Sequence, residues 1–138
     1  MRYWIILLVL AISACSQEAY EPKAEISIEP DKLTIGSGEI SEEVTISVTK
    51  KDAQDVPVSF TIELVSPNAE MFLFLQNNKS IESIKTGTFN RRNDRLSYVF
   101  RVQAKKADGS RQTVWGGTLN LIYNNTIIDS EELRVTVR

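Results

Sequence analysis

Few residues in this sequence have the chemistry that catalysis or metal binding needs. The 138 residues include no histidine and a single cysteine, Cys15. The commonest general base and zinc ligand is therefore missing, and no disulfide can form within the chain. The acidic pairs Glu42-Glu43 and Glu131-Glu132 are adjacent in sequence, and adjacent side chains of a strand point to opposite faces. We predict no catalytic residues, no metal site and no cofactor.

Cys15 follows a segment with the layout of a secretory signal. Arg2 supplies a positive charge, residues 3–12 are apolar, and Ser13 and Ala14 are small. This order of charge, apolar run and small residues is typical of a signal peptide. The apolar run is shorter than the roughly 20 residues that span a bilayer, so we expect it to be removed rather than to remain as a membrane helix.

The four residues Ile12-Ser13-Ala14-Cys15 resemble the lipobox of prokaryotic lipoproteins. The resemblance implies that the Cys15 thiol is acylated and that the signal peptidase cleaves between Ala14 and Cys15. Membrane lipid would then be a partner of the chain. We expect a lipid-anchored protein at the cell membrane or outer membrane, facing the periplasm or the exterior. The alternative is an ordinary signal peptide with an incidental cysteine.

Beyond Cys15 the sequence divides into a tether and one domain. Residues 15–23 are polar, include Pro22 and show no apolar period, as a flexible tether does. Residues 24–138 have the length of one compact domain, preceded by the signal peptide at 1–14. The formal net charge is −2, and basic residues are scattered among acidic ones, which does not favour nucleic acid as a partner.

Alternation of apolar and polar residues dominates the domain. It occurs in Val44–Val48, in Val58–Leu64 and, most regularly, in Leu96–Ala104, and a period of two indicates strands with one buried face. The continuous apolar run Met71–Leu75 is either a strand buried on both faces or a short strand followed by a corner. Thr113–Tyr123 and Ile127–Val137 are predicted to form a hairpin around Asn124-Asn125.

These patterns predict an all-β chain folded as an antiparallel β-sandwich of about seven to nine strands with very little helix. The segment from Pro30 to Leu64, with Pro30-Asp31-Lys32-Leu33-Thr34-Ile35 and Val44-Thr45-Ile46-Ser47-Val48, resembles immunoglobulin-like modules of the cell-surface type, including CARDB domains. The resemblance implies an immunoglobulin-like sandwich, although no cysteine pair links the sheets.

Two segments are candidates for binding. Asn90–Arg95 is the densest polar stretch, and Arg91, Arg92 and Arg95 are suited to forked bonds with carboxylates or phosphates. The alternative is a solvated connection. The second segment is Trp115-Gly116-Gly117. The glycine pair suggests a bulge or a close approach by another backbone, and the tryptophan beside it could be an exposed binding anchor. The alternative is a bulge at a sheet edge with Trp115 in the core.

Two triplets, Asn78-Lys79-Ser80 and Asn124-Asn125-Thr126, fit the glycosylation pattern, with Asn78 and Asn124 as acceptors in predicted turns. Asparagine is also favoured in turns for its own sake.

Taken together, the residues favour a non-catalytic, membrane-anchored envelope lipoprotein. Its sandwich is expected to bind an envelope protein or a glycan, or to support envelope assembly. One alternative is an inhibitor of secreted hydrolases, as in the immunoglobulin-like chagasin family, whose Asn-Pro-Thr-Thr-Gly loop this sequence lacks. A less favoured alternative is an enzyme that uses carboxylates or a lysine.

Overall fold

The computed structural model describes residues 20–105 and 112–138, and these form two stacked sheets with no helix. The strands are β1 (Ala24–Glu29), β2 (Lys32–Ile35), β3 (Val44–Lys50), β4 (Thr61–Val65), β5 (Phe72–Gln76), β6 (Lys79–Ser80), β7 (Ser83–Lys85), β8 (Arg95–Ala104), β9 (Thr113–Tyr123) and β10 (Thr126–Val137). The all-β sandwich predicted from the sequence is confirmed. The structure describes ten strands, whereas about seven to nine were predicted. The sequence pattern did not indicate β6 and β7, because strands of two and three residues are too short to show a period.

The first sheet has the strand order β1-β3-β8-β5-β6 and the second has the order β2-β10-β9-β4-β7. The runs β1-β3-β8-β5 and β4-β9-β10 correspond to the two sheets of an immunoglobulin fold. All pairs are antiparallel except β2 with β10, which is parallel. The chain changes sheets between β1 and β2. Strands β1 and β2 run in the same direction, but β1 pairs with β3 in the first sheet and β2 pairs with β10 in the second.

Alternation along the strands fills the space between the sheets. Val44, Ile46 and Val48 are fully buried on β3, as the period of two predicted. Most other residues that the alternation placed inward are also buried, namely Ile62, Leu64, Phe100, Val102, Ala104, Leu119, Leu121, Leu133, Val135 and Val137. Leu96, Tyr98 and Tyr123 are partly buried and pack against the core. Removing each such aliphatic side chain from water stabilises the fold by about 1.5–3 kcal/mol.

The run at residues 71–75 forms β5, and its position explains its continuous apolar character. Phe72 and Phe74 point into the sandwich and are almost fully buried, and Leu75, on the opposite face, is 7% exposed. The strand buried on both faces is therefore the better of the two sequence interpretations, although Leu73 is half-buried.

The predicted hairpin around Asn124-Asn125 is confirmed, with β9 and β10 pairing along their lengths. Asn124 and Asn125 have φ values of 49° and 63°, the left-handed conformations that a two-residue turn of type I′ requires at both positions. Asn77 and Asn78 adopt the same conformation, with φ values of 53° and 62°, between β5 and β6. Asparagine tolerates this region better than most residues.

The bulge expected at Gly116-Gly117 is absent. Gly117 pairs with Leu133 and Gly116 with Arg134 in an unbroken ladder, and the register shift lies between Ile127 and Asp129 instead. The close approach at Gly117 comes from aromatic rings rather than from backbone, because a Cβ there would lie 2.9 Å from Phe74 Cζ and 3.2 Å from Phe72 Cζ.

We expect Gly117→Ala to lower the free energy of unfolding by about 1–3 kcal/mol, because two buried rings on β5 of the opposite sheet leave no room for a methyl group. Gly116→Ala is the matched control. A Cβ at Gly116 meets nothing within 4 Å, so its effect should stay within about 0.5 kcal/mol. Urea unfolding followed by circular dichroism measures both variants, and equal losses would contradict the explanation.

Candidate functional site

Three segments lie together at the end of the sandwich from which the chain leads back to Cys15. Lys51 N–H donates to Lys23 O at 2.7 Å, and Lys50 N–H donates to Asp94 O at 2.7 Å. Arg91 N–H donates to Asp55 Oδ1 at 3.1 Å. These bonds join residues 20–23, 51–57 and 90–94, which we call the base.

Asp52 is the centre of a hydrogen-bond network in the base. Its carboxylate accepts bonds from Tyr20 Oη at 2.8 Å, Lys50 Nζ at 2.7 Å, Lys23 N–H at 2.9 Å and Gln54 N–H at 3.1 Å. The side chains of Lys50 and Asp52 are only 4% and 12% exposed. Lys50 Nζ also donates to the carbonyl oxygen of Gln54. A buried ion pair with this many partners fixes one arrangement of the groups around it.

The environment shifts the pKa of all three ionisable side chains in this network. Burial alone would raise the pKa of Asp52, but hydrogen bonds from Lys50, Lys23, Tyr20 and Gln54 outweigh it and hold that pKa well below its usual range. The bond to Asp52 raises the pKa of Lys50 against the opposing effect of burial. Burial, and then the bond to Asp52, raises the pKa of Tyr20. All three side chains therefore keep their ordinary charge states at neutral pH.

The charge of Lys50 bears on the enzyme alternative. A lysine that acts as a nucleophile or base needs a lowered pKa so that its amine is neutral, and the pKa of Lys50 is raised instead. Within residues 20–105 and 112–138, no three side chains of the types His, Cys, Asp or Glu come together as a metal site would need. The same ranges contain no helix long and apolar enough to cross a membrane.

Residues 20–23, which the sequence pattern assigned to the tether, lie against the domain. Tyr20 is half-buried and packs on the core, and Pro22 is buried. The lipobox residues, including Ala14 and Cys15, lie outside the described residues. Four residues, 16–19, separate Cys15 from Tyr20.

Arg91 and Arg92 project from a tight turn in the base. Asn90 and Asn93 exchange backbone hydrogen bonds of 3.1 and 3.2 Å, and Asn90 Oδ1 accepts the N–H groups of Arg92 and Asn93. Both arginines are exposed, and neither forms an ion pair with a described carboxylate. Arg95 lies apart from them at the start of β8, where its Nη2 donates to Ser47 Oγ at 3.4 Å.

Trp115 points into the sandwich, where it is partly buried and packs against the core. Its Nε1 is buried and has no hydrogen-bond partner within residues 20–105 and 112–138. Gly116 faces outward on the second sheet with open space above it. Strand β9 lies between β10 and β4, so the three residues are not on an outermost strand. Trp115 and Gly117 therefore face the core, whereas Gly116 between them faces outward.

Asn78 and Asn124 are exposed in their two-residue turns. Both acceptor positions of the glycosylation pattern are therefore on the surface, and glycosylation itself stays a prediction.

The two long sides of the sandwich differ. On one side β1 meets β10, and Ile26 N–H donates to Asp129 Oδ2 at 2.9 Å. Asp129 follows the register shift in β10, so the bulge directs its carboxylate at the edge of β1. This side is closed.

The opposite side is open, because β4 stops before Pro67 and both β6 and β7 are very short. The gap forms a groove of 720 Å³, which we call the side groove, lined by β4, β5 and residues 80–83. Val65, which is 40% exposed, contributes apolar surface, and the exposed Glu63 and Glu82 contribute charge. A groove with an apolar wall and a few charges is a candidate for a ligand-binding site or an active site.

Comparisons with known proteins bear on the fold. No protein-family model matches the sequence, and neither does any curated protein. Among solved structures, the chain is similar to the CARDB domain of a Pyrococcus furiosus protein in complex with di-metal ions, at 12% identity over 87% of this chain and 98% of that one, with a TM-score of 0.50. The chain has an immunoglobulin-like β-sandwich fold.

Two further solved structures are similar. A cohesin–dockerin complex from Clostridium thermocellum matches at 14% identity over 89% of this chain and 98% of that one, with a TM-score of 0.51. The periplasmic chaperone SfaE matches at 12% identity over 82% of this chain but 57% of its own, with a TM-score of 0.52. Identities this low show a shared architecture, and fold alone does not fix function.

Neither the Asp52 network nor the side groove was predicted from the sequence. A signal for the network was present, since Lys50 continues the buried phase of Val44, Ile46 and Val48. A lysine in an inward position needs a partner. No comparable signal marked the groove, because it results from strands that end early.

We expect Asp52→Asn to lower the free energy of unfolding by about 3 kcal/mol, because it leaves the buried Lys50 ammonium without a counterion. Asp55→Asn, at an exposed position in the same loop, should cost less than about 1 kcal/mol. Urea unfolding at neutral pH measures both.

The pH dependence gives a second readout of the same substitution. The pKa of Asp52 is lowered in the folded state. The contribution of its charge to the free energy of unfolding is therefore complete above the ordinary carboxyl pKa of about 3.9, and it is lost as pH falls below that value. Wild type should therefore lose stability faster than Asp52→Asn below about pH 4. Parallel curves of unfolding free energy against pH for the two proteins would contradict the stabilising role of Asp52 in the network.

Proposed function

We propose that this chain is a non-catalytic, lipid-anchored domain of the cell envelope that binds a protein or glycan partner through the side groove. The observation that carries the binding role is the side groove itself, which lies on the side where the two sheets do not close. Its volume is within the range of about 300–1,000 Å³ that is common for binding sites.

The charge of Lys50 supports a binding domain over an enzyme that uses this lysine, because the buried side chain is held in its charged form. The solved structures of similar fold include a periplasmic chaperone and a cohesin–dockerin complex.

The anchoring role rests on Cys15 and the lipobox pattern before it. An acylated Cys15 would place the chain at a cell membrane or outer membrane, facing the periplasm or the exterior. Two or more acyl chains give stable anchoring, whereas a single chain binds reversibly.

We expect Cys15→Ser to abolish membrane attachment without changing the stability of the sandwich, because acylation requires the thiol. The measurement is flotation of washed membranes together with mass spectrometry of the mature N-terminus. Ser16→Ala is the matched control and should float as the wild type does. If a cleaved Cys15→Ser chain stays in membranes after a high-salt wash, the proposal of a lipid anchor at Cys15 is contradicted.

We expect a photo-crosslinking side chain at Ser83, in the wall of the side groove, to form adducts with an envelope partner in whole cells. The same side chain at Lys32, which is exposed on the far edge of the same sheet, should form few. Val65→Arg should suppress the Ser83 adducts by filling the groove with a charged side chain. Equal adducts at Ser83 and Lys32, or adducts insensitive to Val65→Arg, would argue against the groove.

A further inference from the structure

The distance from Cys15 to the folded domain is short. The chain is fastened at Tyr20, whose hydroxyl donates to the buried Asp52 carboxylate, and five Cα–Cα steps separate Cys15 from Tyr20. A fully extended chain covers at most about 3.3–3.6 Å per residue, so the reach is at most about 18 Å. An acylated Cys15 lies at the lipid surface, and the base must then lie close to that surface.

We propose that the base rests on the lipid surface and that Arg91 and Arg92 contact the headgroups of anionic phospholipids. This inference rests on the lipid anchor of the proposed function and adds an orientation and a lipid preference to it. Phosphate groups are the partners that exposed guanidinium groups bind through paired hydrogen bonds, and neither arginine has an ion-pair partner among the described carboxylates.

The distribution of charge supports this orientation. The exposed residues of the base include one more basic residue than acidic residue, whereas the whole chain carries a net charge of −2. The basic residues of the base are Lys23, Lys51, Arg91 and Arg92, and the exposed acidic ones are Glu21, Asp55 and Asp94. Lys51 Nζ is paired with Glu25 Oε2 of β1 at 3.5 Å. The Lys50–Asp52 pair is neutral overall.

Two loops at the opposite end of the sandwich are acidic. Loops 36–43 and 66–71 contain Glu39, Glu42, Glu43 and Glu70 and no basic residue. Both loops bond to the far end of β8, through Ser41 N–H to Val102 O and Lys105 N–H to Met71 O. The ten residues of β8 put these loops about 30 Å from the base. An anionic surface would repel the carboxylates of these two loops.

The base also presents an apolar contact. Val56 is 39% exposed in the loop that follows the Asp52 network, between Asp55 and Pro57. An exposed valine within the base suits the boundary between headgroups and acyl chains better than it suits water.

The test measures the distance of each end from the lipid in the full, acylated chain. Asn93→Cys labels the base and Glu70→Cys labels the opposite end, and each new thiol is the single free one because Cys15 carries lipid. Energy transfer to an acceptor on lipid headgroups is measured in floated vesicles of phosphatidylcholine, with and without phosphatidylglycerol. We expect transfer from the base label to be at least about twofold higher, given the separation of the two ends.

The lipid preference is tested with Arg91→Glu combined with Arg92→Glu. Phosphatidylglycerol should increase transfer from the base label in the wild type, and the double variant should remove that increase. Lys32→Glu combined with Lys79→Glu makes the same change of charge away from the base and should retain the increase. Thermal unfolding of each variant checks that the sandwich is intact.

The outcomes separate the two proposals. Equal transfer from both labels in vesicles that float would overturn the orientation and leave the anchor standing. An increase with phosphatidylglycerol that survives the double arginine substitution would overturn the role of Arg91 and Arg92. Chains that fail to float would overturn the anchor and, with it, this inference.

Discussion

The Asp52 carboxylate determines how the sandwich is joined to the segment that leads to Cys15. It accepts four hydrogen bonds, two of them from Tyr20 and the backbone of Lys23, which precede the first strand. The charge is buried, so water cannot replace these donors without cost, and the opposing charge of Lys50 offsets much of its desolvation. Such a pair adds little net stability compared with apolar packing, but it allows only one position for residues 20–23. The base is therefore a defined surface and not merely the end of a tether.

The pairing of backbone groups at the edges of the sheets explains why one side of the sandwich is closed and the other open. The edge of β1 would expose unpaired backbone groups, and Asp129 satisfies one of them across the gap between the sheets. On the other side the outermost strands, β6 and β7, have two and three residues. Short edge strands offer little backbone for unwanted pairing with another chain. They also leave the side groove uncovered, so the feature that limits aggregation is also the one that keeps this groove open.

The sequence predicted the parts of this fold that depend on local pattern. Alternation identified β3, β8 and β9, since a period of two places every second side chain in the core, and Asn124-Asn125 identified the hairpin because few residues tolerate its backbone conformation. The missed features depend on contacts between distant segments. Asp52 meets Tyr20 across 32 residues of chain, and Gly117 meets Phe72 and Phe74 from the opposite sheet. A glycine pair in a strand predicts a close approach, but it does not identify the approaching group as a ring.

The direction of the side groove follows from the direction of β4. This strand begins at Thr61, near the base, and ends at Val65, near loop 66–71, so the side groove runs along the sandwich rather than across either end. With the base on the lipid surface, the side groove would open sideways, parallel to that surface. A partner held there would stand beside the domain at a height fixed by the length of β4 and by the short reach from Cys15. In this arrangement the Asp52 network has a functional reason, because a domain on a loose tether would present its groove in every direction.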